Sequence, residues 1–293
     1  MTPTLVRQHT SHADSAARVD PSARARDWSE IQERMLVPLY EAVYDRLDVG
    51  PATRLLGLRC GSGLALLMAA SRGAAVTGVD SASPERLALA RERLLPDTPP
   101  GRAGSRGGSG TRARPTARLA ADPPAAGTGP AGYTLVTALE PIGGLAGDSE
   151  GLGELLADAL PLAGRGAAVV LAGWGPPERC ATSSVLRVAT KLADPVCGTR
   201  TWRPSRRDDL EEVAARAGLK PDGSGRVACP FGYAGLDSAV RGLLSTGLFD
   251  AAITATDAKQ VDKELAEALH PHRRPDGTVW MPNVFRYLIA RVP

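Results

Sequence analysis

Apolar residues alternate along this chain between short continuous runs and stretches at helical spacing. The runs predict buried strands at residues 54–58, 75–79, 133–139, 167–172 and 279–292, with weaker ones at 116–121 and 220–229. Helical spacing predicts helices at residues 64–71, 84–94, 150–160, 178–192, 206–217, 236–244 and 259–269. Strands that alternate with helices are typical of an α/β protein whose mainly parallel sheet is covered on both faces.

The polar segments divide the chain. Residues 1–26 show no hydrophobic period and predict a disordered or loosely attached arm, followed by one domain over 27–293. Ser29 and Gln32 match a capping box, which predicts a helix from there to about Leu47. Residues 96–115 are rich in Gly, Arg, Ser and Pro and predict a flexible loop, whereas 235–275 predict a small helical cap.

Composition and charge exclude several classes of protein. With 293 residues, 43% of them hydrophobic, the chain can bury one large core. A net charge of +3 does not indicate nucleic acid, and we interpret the Arg-rich loop as solvated. No apolar run reaches the roughly 18 residues of a membrane span, and no secretory signal is recognisable. The four cysteines form no C-x-x-C pair, so we expect no metal site and a cytoplasmic protein.

The most informative stretch runs from Arg54 to Gly63 and reads RLLGLRCGSG, with Val76-Thr77-Gly78-Val79-Asp80 following it. It predicts a strand, a glycine turn, a helix and a second strand that ends in an acid. Such a turn brings backbone amides close to a ligand, and the acid can accept hydrogen bonds from ribose hydroxyls. The turn is not G-x-G-x-x-G, so a dinucleotide is not indicated.

This stretch resembles motif I of the class I S-adenosylmethionine (SAM) methyltransferases, L-D-x-G-C-G-x-G. Residues 28–45, 173–178 and 276–287 are also similar to a bacterial small-molecule subgroup of that family. The resemblance implies a Rossmann-like sheet of seven strands, mainly parallel, with an antiparallel last strand. It also implies that SAM is the cofactor and binds at the following residues: Leu58, Cys60, Gly61, Gly63, Asp80 and Asp122.

Each of these residues also has a purely structural interpretation. Gly61 and Gly63 could serve only a tight strand-to-helix turn, and Cys60 could be a small buried thiol. Asp80 could be an exposed strand-end residue that caps the next helix. Asp122 is aligned with the acid that contacts adenine only across the degenerate loop before it.

The motif departs from the family pattern, and the departures predict weakened SAM binding. Gly57 replaces the family's acid, and Arg59 replaces its first glycine. We expect the Arg59 side chain to fill the cofactor pocket, to swing outwards, or to pair with Glu140. Thr134 also replaces an aspartate, and we expect it to weaken the same edge of the sheet.

Three residues are candidates for catalysis. Glu140 follows the predicted strand 133–139, while Tyr40 and Tyr44 lie four residues apart on the first helix, where one helix face could meet a substrate. Our first hypothesis is a SAM-dependent methyltransferase that acts on a small molecule in bacterial secondary metabolism. The alternative is an inactive protein of the same fold that binds a partner or catalyses a non-methylating reaction. A nucleic-acid enzyme is disfavoured because no N-P-P-[YF] motif is present.

Overall fold

The computed structural model describes residues 20–95, 117–125, 132–144, 146–193 and 205–293. Its strands are β1 (Arg54–Leu58), β2 (Ala75–Val79), β3 (Ala117–Ala120), β4 (Tyr133–Ile142), β5 (Ala163–Trp174), β6 (Lys220–Ala228), β7 (Phe231–Tyr233), β8 (Val279–Met281) and β9 (Val284–Arg291). Its α-helices are α1 (Pro21–Asp27), α2 (Val37–Arg46), α3 (Leu64–Ser71), α4 (Pro84–Leu94), α5 (Asp148–Ala159), α6 (Thr182–Leu192), α7 (Asp209–Arg216), α8 (Leu236–Ser245), α9 (Asp250–Ala255) and α10 (Ala258–Leu269).

Seven of the strands form one twisted sheet in the order β3-β2-β1-β4-β5-β9-β6. The pairs from β3 to β5 are parallel, whereas β9 is antiparallel to both of its neighbours. This order confirms the predicted sheet with its antiparallel last strand. Each face of the sheet is covered by helices and carries its own apolar core.

The last predicted strand, 279–292, is two strands in the structure. Pro282 has no N–H to donate, and the Asn283 amide donates to the Met281 carbonyl at 3.2 Å while its oxygen accepts from the Thr182 N–H at 3.2 Å. The first part, β8, therefore pairs with β7 in a separate ribbon, and the second part, β9, enters the main sheet.

The polar N-terminal region is more ordered than its sequence indicates. Residues 21–26, which we expected in a loose arm, belong to α1, whose N-terminus is capped by the Asp20 side chain. Arg24 pairs with Asp250 at 2.7 Å, so α1 is fixed to the cap by charged groups that hydrophobic periodicity cannot reveal. The predicted capping box is wrong, because Ser29 lies inside the helix. Residues 1–19 and the loop 96–115 lie outside the described residues.

Residues 28–36, called the lid segment below, connect α1 to α2. They form a π-helical turn (Trp28–Gln32) followed by a 3₁₀ turn (Glu33–Leu36). A π-helical turn is rare and often accompanies a functional site. Among the helices that the structure describes, none has both the length and the apolar character that a membrane span requires.

Candidate functional site

The glycine turn, residues 59–63, leads from β1 into α3 at the carboxyl edge of the sheet. Gly61 and Gly63 both have left-handed backbones, with φ of 56° and 79°. A Cβ added at Gly63 would lie 3.0 Å from the Cβ of Ala90, so packing against α4 alone requires glycine there. A Cβ at Gly61 would instead meet the lid segment, at 3.1 Å from Trp28 Nε1 and 3.3 Å from Glu33 Oε1.

Asp80 joins the end of β2 to this turn. Its Oδ2 accepts the Gly61 N–H at 3.0 Å, and its Oδ1 accepts the Ala82 N–H at 3.0 Å. The residue is only 5% exposed, and burial, with a smaller contribution from Glu140, raises its pKa. An exposed capping aspartate is therefore the wrong interpretation, since Ser83 caps α4 itself. Its binding of ribose stays a prediction.

The other predicted cofactor residues differ in their surroundings. Leu58 is buried in the core at the end of β1. Cys60 has a half-buried thiol whose pKa is raised to about 12 by burial, then by Asp80 and Glu33. Such a thiol stays protonated, which supports its interpretation as a packing residue. Asp122 is exposed two residues after β3, and no hydrogen bond links it to the turn within the described ranges.

Arg59, which replaces a glycine of the family motif, has a left-handed backbone with φ of 48°. Its side chain extends towards α5, where Nη2 lies 3.0 Å from the position of a Cβ built on Gly151. The expected pair with Glu140 is wrong, because the nearest cation to that carboxylate is Arg86, at 3.4 Å. The side chain thus extends away from Glu140 towards α5, while Arg59 itself is half-buried and lines the small cavity at this turn.

The two other departures have different consequences. At Gly57 a Cβ would lie 2.8 Å from Leu66 Cδ2, so the leucine side chain occupies the space that an acid would need. Thr134 lies at the amino end of β4, where its hydroxyl accepts the Arg54 N–H at 3.0 Å. It is thus at the opposite edge of the sheet, and its assignment to the weakened edge is wrong.

The lid segment covers the glycine turn with a buried carboxylate. Glu33 is 2% exposed, and its Oε2 accepts hydrogen bonds from the Ser62 hydroxyl and from Arg93 Nη1, the latter at 2.9 Å. Its Oε1 accepts the Leu64 N–H of α3 at 3.3 Å. Arg93 also donates to the Ser29 hydroxyl at 2.8 Å, which ties α4 to the lid segment. The sequence does not reveal this network, because the residues of each hydrogen-bonded pair are 29 to 64 positions apart in the chain.

Arg86 of α4 connects three elements above the same edge. Its guanidinium stacks on the Trp28 ring, 4.1 Å from the ring centroid. Its Nη2 donates to the Ser245 carbonyl of α8 at 2.7 Å, and Nη1 lies 3.4 Å from Glu140 at the end of β4. The lid segment, the cap and β4 therefore meet around one cation.

Two cavities lie at this edge. The glycine-turn cavity has about 20 Å³, little more than one water needs, and is lined by Glu33, Tyr40 and Gly61 among others. The aromatic cavity has about 60 Å³ and is lined mainly by apolar side chains, namely Leu36, Trp174, Phe231, Leu248 and Phe285. Trp28 and Glu140 line both cavities and so mark the boundary between them.

The two candidate tyrosines have different positions. Tyr40 lines the glycine-turn cavity, and burial, followed by Glu33, raises its pKa well above the ordinary value. Tyr44 is fully buried and donates its hydroxyl to the Ala65 carbonyl at 2.9 Å. Tyr44 is therefore a packing residue, and Tyr40 alone of the pair remains a candidate beside Glu140.

No protein-family model matches this sequence, and no curated protein matches it. Solved structures do. A proposed methyltransferase from Bacillus halodurans C-125 is 13% identical, with a TM-score of 0.50 over 87% of this chain and 98% of that one. A cyclopropane synthase from Mycobacterium tuberculosis is 12% identical, with a TM-score of 0.51 over 94% and 95%.

A geranyl diphosphate C-methyltransferase from Streptomyces coelicolor is 15% identical, with a lower TM-score of 0.45 over 89% of this chain and 80% of that one. That structure was solved with Mg²⁺, geranyl diphosphate and S-adenosyl-L-homocysteine. At these identities the comparisons establish the fold. The chain thus has the Rossmann-like fold of the class I SAM-dependent methyltransferases, as the glycine-turn motif predicted.

Proposed function

We propose that this protein is a SAM-dependent methyltransferase for a small molecule, with a weakened cofactor site. One observation carries the proposal: the acid at the end of β2 holds the amide of a left-handed glycine in the turn after β1. This arrangement keeps an acceptor for hydroxyl groups beside a turn that a ligand can approach closely. Gly61 and Asp80 are the residues that would hold SAM most directly.

The backbone of the glycine turn fits SAM, but the side chains packed against the turn leave too little space for it. Ligand pockets usually have about 300 Å³ or more, whereas the glycine-turn cavity has about 20 Å³ because Trp28 and Glu33 fill it. Binding therefore requires the lid segment to move, and this requirement lowers the affinity. When bound, SAM supplies the methyl group, and the protein contributes alignment and exclusion of water.

The lining of the aromatic cavity supports an apolar acceptor molecule, although its volume of about 60 Å³ means that this cavity also has to open to admit one. Its walls are aromatic and aliphatic, and its only carboxylate among the described residues is Glu140, at the boundary with the cofactor side. In this proposal Glu140 would take a proton from an acceptor group that enters from the aromatic side. We assign this activity to a bacterial cytoplasm and to secondary metabolism; the three described cysteines are free, which fits a reducing compartment.

The alternative function is a non-methylating one, in which the protein binds a small molecule or a protein partner. The filled glycine-turn cavity favours it, because Leu66, Trp28 and Glu33 together occupy the space around Gly57 and Gly61. In that case the aromatic cavity would be the functional site, and the turn would serve the fold alone.

Calorimetric titration of the purified protein with SAM and S-adenosylhomocysteine separates the two functions. We expect both to bind, with dissociation constants well above micromolar, and Asp80→Asn to weaken both. Glu85→Gln, a change on the first turn of the neighbouring helix α4, is the matched control and should leave both unchanged. Submicromolar binding of SAM would contradict a weakened site, and no binding at millimolar ligand would favour the alternative.

A further inference from the structure

The carboxylate of Glu33 occupies a position built to receive an anion. It sits at the N-terminus of α3, an eight-residue helix, where the unpaired N–H groups and the helix dipole favour negative charge. Three donors converge on it: Arg93 Nη1 at 2.9 Å, the Leu64 N–H at 3.3 Å and the Ser62 hydroxyl. A side chain of the chain itself therefore fills an anion site that opens onto the glycine turn.

A second observation at the same place indicates that an acceptor belongs there. The indole N–H of Trp28, a residue 5% exposed, has no hydrogen-bond partner among the described residues. It lies 3.1 Å from the position of a Cβ on Gly61, beside Glu33 Oε1. A buried donor without an acceptor costs about 1–3 kcal/mol. A ligand with an acceptor at the turn would remove this cost, which the closed lid segment leaves in place.

The lid segment is held against the turn by polar contacts. Ser29 and Glu33 both bind Arg93, and the backbone between them is the π-helical turn. Opening the segment would leave Arg93, the Ser62 hydroxyl and the Leu64 N–H without their shared acceptor, and the Arg93 guanidinium would need a new negative partner. An incoming carboxylate satisfies that need, whereas a ligand without one does not.

We propose that Glu33 is an internal competitor for a ligand's carboxylate, so that an amino-acid-bearing nucleoside binds by displacing Glu33 from the α3 N-terminus and inheriting its donors. The inference rests on the proposed function. It adds that competition from Glu33 sets the affinity of the cofactor site for its ligand. Glu33 is a positioning residue of the lid segment and takes no part in the chemistry.

The test compares two nucleosides that differ in the amino-acid tail. S-adenosylhomocysteine carries a carboxylate and 5′-methylthioadenosine carries none. In Glu33→Gln the affinity for S-adenosylhomocysteine should rise at least about tenfold, the factor expected when a competing state is populated about ten to one. The affinity for 5′-methylthioadenosine should rise clearly less, because that ligand gains only from the freer lid segment and forms no bonds to the Arg93 donors.

Glu30→Gln is the matched control, because Glu30 lies three residues earlier and is exposed. It should change neither affinity. A second measurement uses the wild-type protein: hydrogen exchange at residues 28–36 should become faster when S-adenosylhomocysteine is added, and the increase should be clearly smaller with 5′-methylthioadenosine. This measurement holds even if Glu33→Gln fails to fold.

The possible results distinguish a failure of this inference from a failure of the proposed function. Equal gains for both nucleosides, or no gain for S-adenosylhomocysteine, would overturn the competition while the binding itself upheld the proposed function. Slower exchange of residues 28–36 with S-adenosylhomocysteine would overturn it as well. If neither nucleoside bound any variant, both the inference and the proposed function would fall.

Discussion

The two cavities at the carboxyl edge of the sheet are neighbours with opposite characters. The glycine-turn cavity is small and has two carboxylates, Glu33 and Glu140, in its lining, and Glu33 is hydrogen-bonded to Arg93. The aromatic cavity is larger and is enclosed by Trp174, Phe231 and Phe285, whose rings pack within 4.7 to 6.0 Å of one another.

The difference shows where rigidity is located at this site. The walls of the aromatic cavity are held by the burial of aromatic rings, and a polar ligand cannot replace these contacts. The polar bonds of the other exchange partners readily, because a ligand can offer the same donors and acceptors. We therefore expect the aromatic side to be a fixed wall and the glycine-turn side to be the adaptable one.

The largest expected effect tests the fixed wall. Phe285→Ala should lower the free energy of unfolding by about 3–5 kcal/mol, because it removes a fully buried ring and leaves a cavity beside Trp174. Denaturant unfolding measures it. The control, Trp280→Ala, removes a ring that is 39% exposed and stacked on Arg274, and should cost about 1 kcal/mol. Similar costs for both would remove the distinction that we draw.

Asp80 should matter to the stability of the turn with or without a ligand. Asp80→Ala leaves the Gly61 and Ala82 N–H groups without their acceptor and should cost about 2–4 kcal/mol. Thermal unfolding of Asp122→Ala, an exposed aspartate on the same edge, provides the comparison and should shift stability by less than about 0.5 kcal/mol. A neutral Asp80→Ala would mean that these amides find other partners.

A substitution at Gly57 tests whether the Leu66 side chain fills the space on the glycine-turn side. Gly57→Ala should destabilise the protein by about 1–3 kcal/mol, because the new Cβ would lie 2.8 Å from Leu66 Cδ2. In a Leu66→Val background, which lacks that atom, the same change should cost clearly less. A double-mutant cycle on the unfolding free energies measures the coupling, and additive costs would show that Leu66 is not the obstacle.

The pH dependence of stability should carry the signature of Asp80. Burial raises its folded pKa above the unfolded value, so folding favours its protonated form. Its contribution is thus fully present below the unfolded pKa, near 3.9, and is lost as pH rises through the raised folded pKa. The wild type should therefore lose stability relative to Asp80→Asn as pH increases over that interval, measured by denaturant unfolding. The opposite trend would contradict the direction.

The smallest expected effect concerns Arg59. Arg59→Gly relieves a left-handed backbone, worth about 1–2 kcal/mol, and adds flexibility to the unfolded chain worth about 0.5–1 kcal/mol. The net change in stability should be under about 1 kcal/mol. Because the guanidinium lies towards Gly151, the affinity for SAM should also stay nearly unchanged. A large gain in affinity would place this side chain in the cofactor's way after all.

Some features of the fold and of the site could be predicted from the sequence, and others could not. Strands β1 and β2, the turn between β1 and α3, and Asp80 were predictable because each is set by neighbours in the chain: a buried run, a left-handed glycine and a strand end. Helix α9 was missed because its six residues are too short for a clear period. The role of Arg59 was partly misjudged because a side chain's direction depends on distant packing.

The lid segment could not be predicted in the same way. Glu33 appears in the sequence as one more charged residue on an amphipathic helix, yet it is buried because Ser62, Leu64 and Arg93 come from other elements. The signal available was its place among Ile31, Met35 and Leu36 on the apolar side. Thr134 was misassigned because motif comparison does not say at which end of its strand a residue lies.

The position of β9 has a consequence for how the protein is made. The last strand lies inside the sheet, between β5 and β6, so β6 has no partner in the main sheet until β9 arrives. During synthesis the ribosome delivers β6 some sixty residues before Val284. The edges of β5 and β6 therefore stay unpaired until β9 is synthesised, and unpaired strand edges are prone to aggregate. A nascent chain stalled before residue 284 would therefore be a substrate for chaperones, while the parallel half, β3 to β4, already holds together.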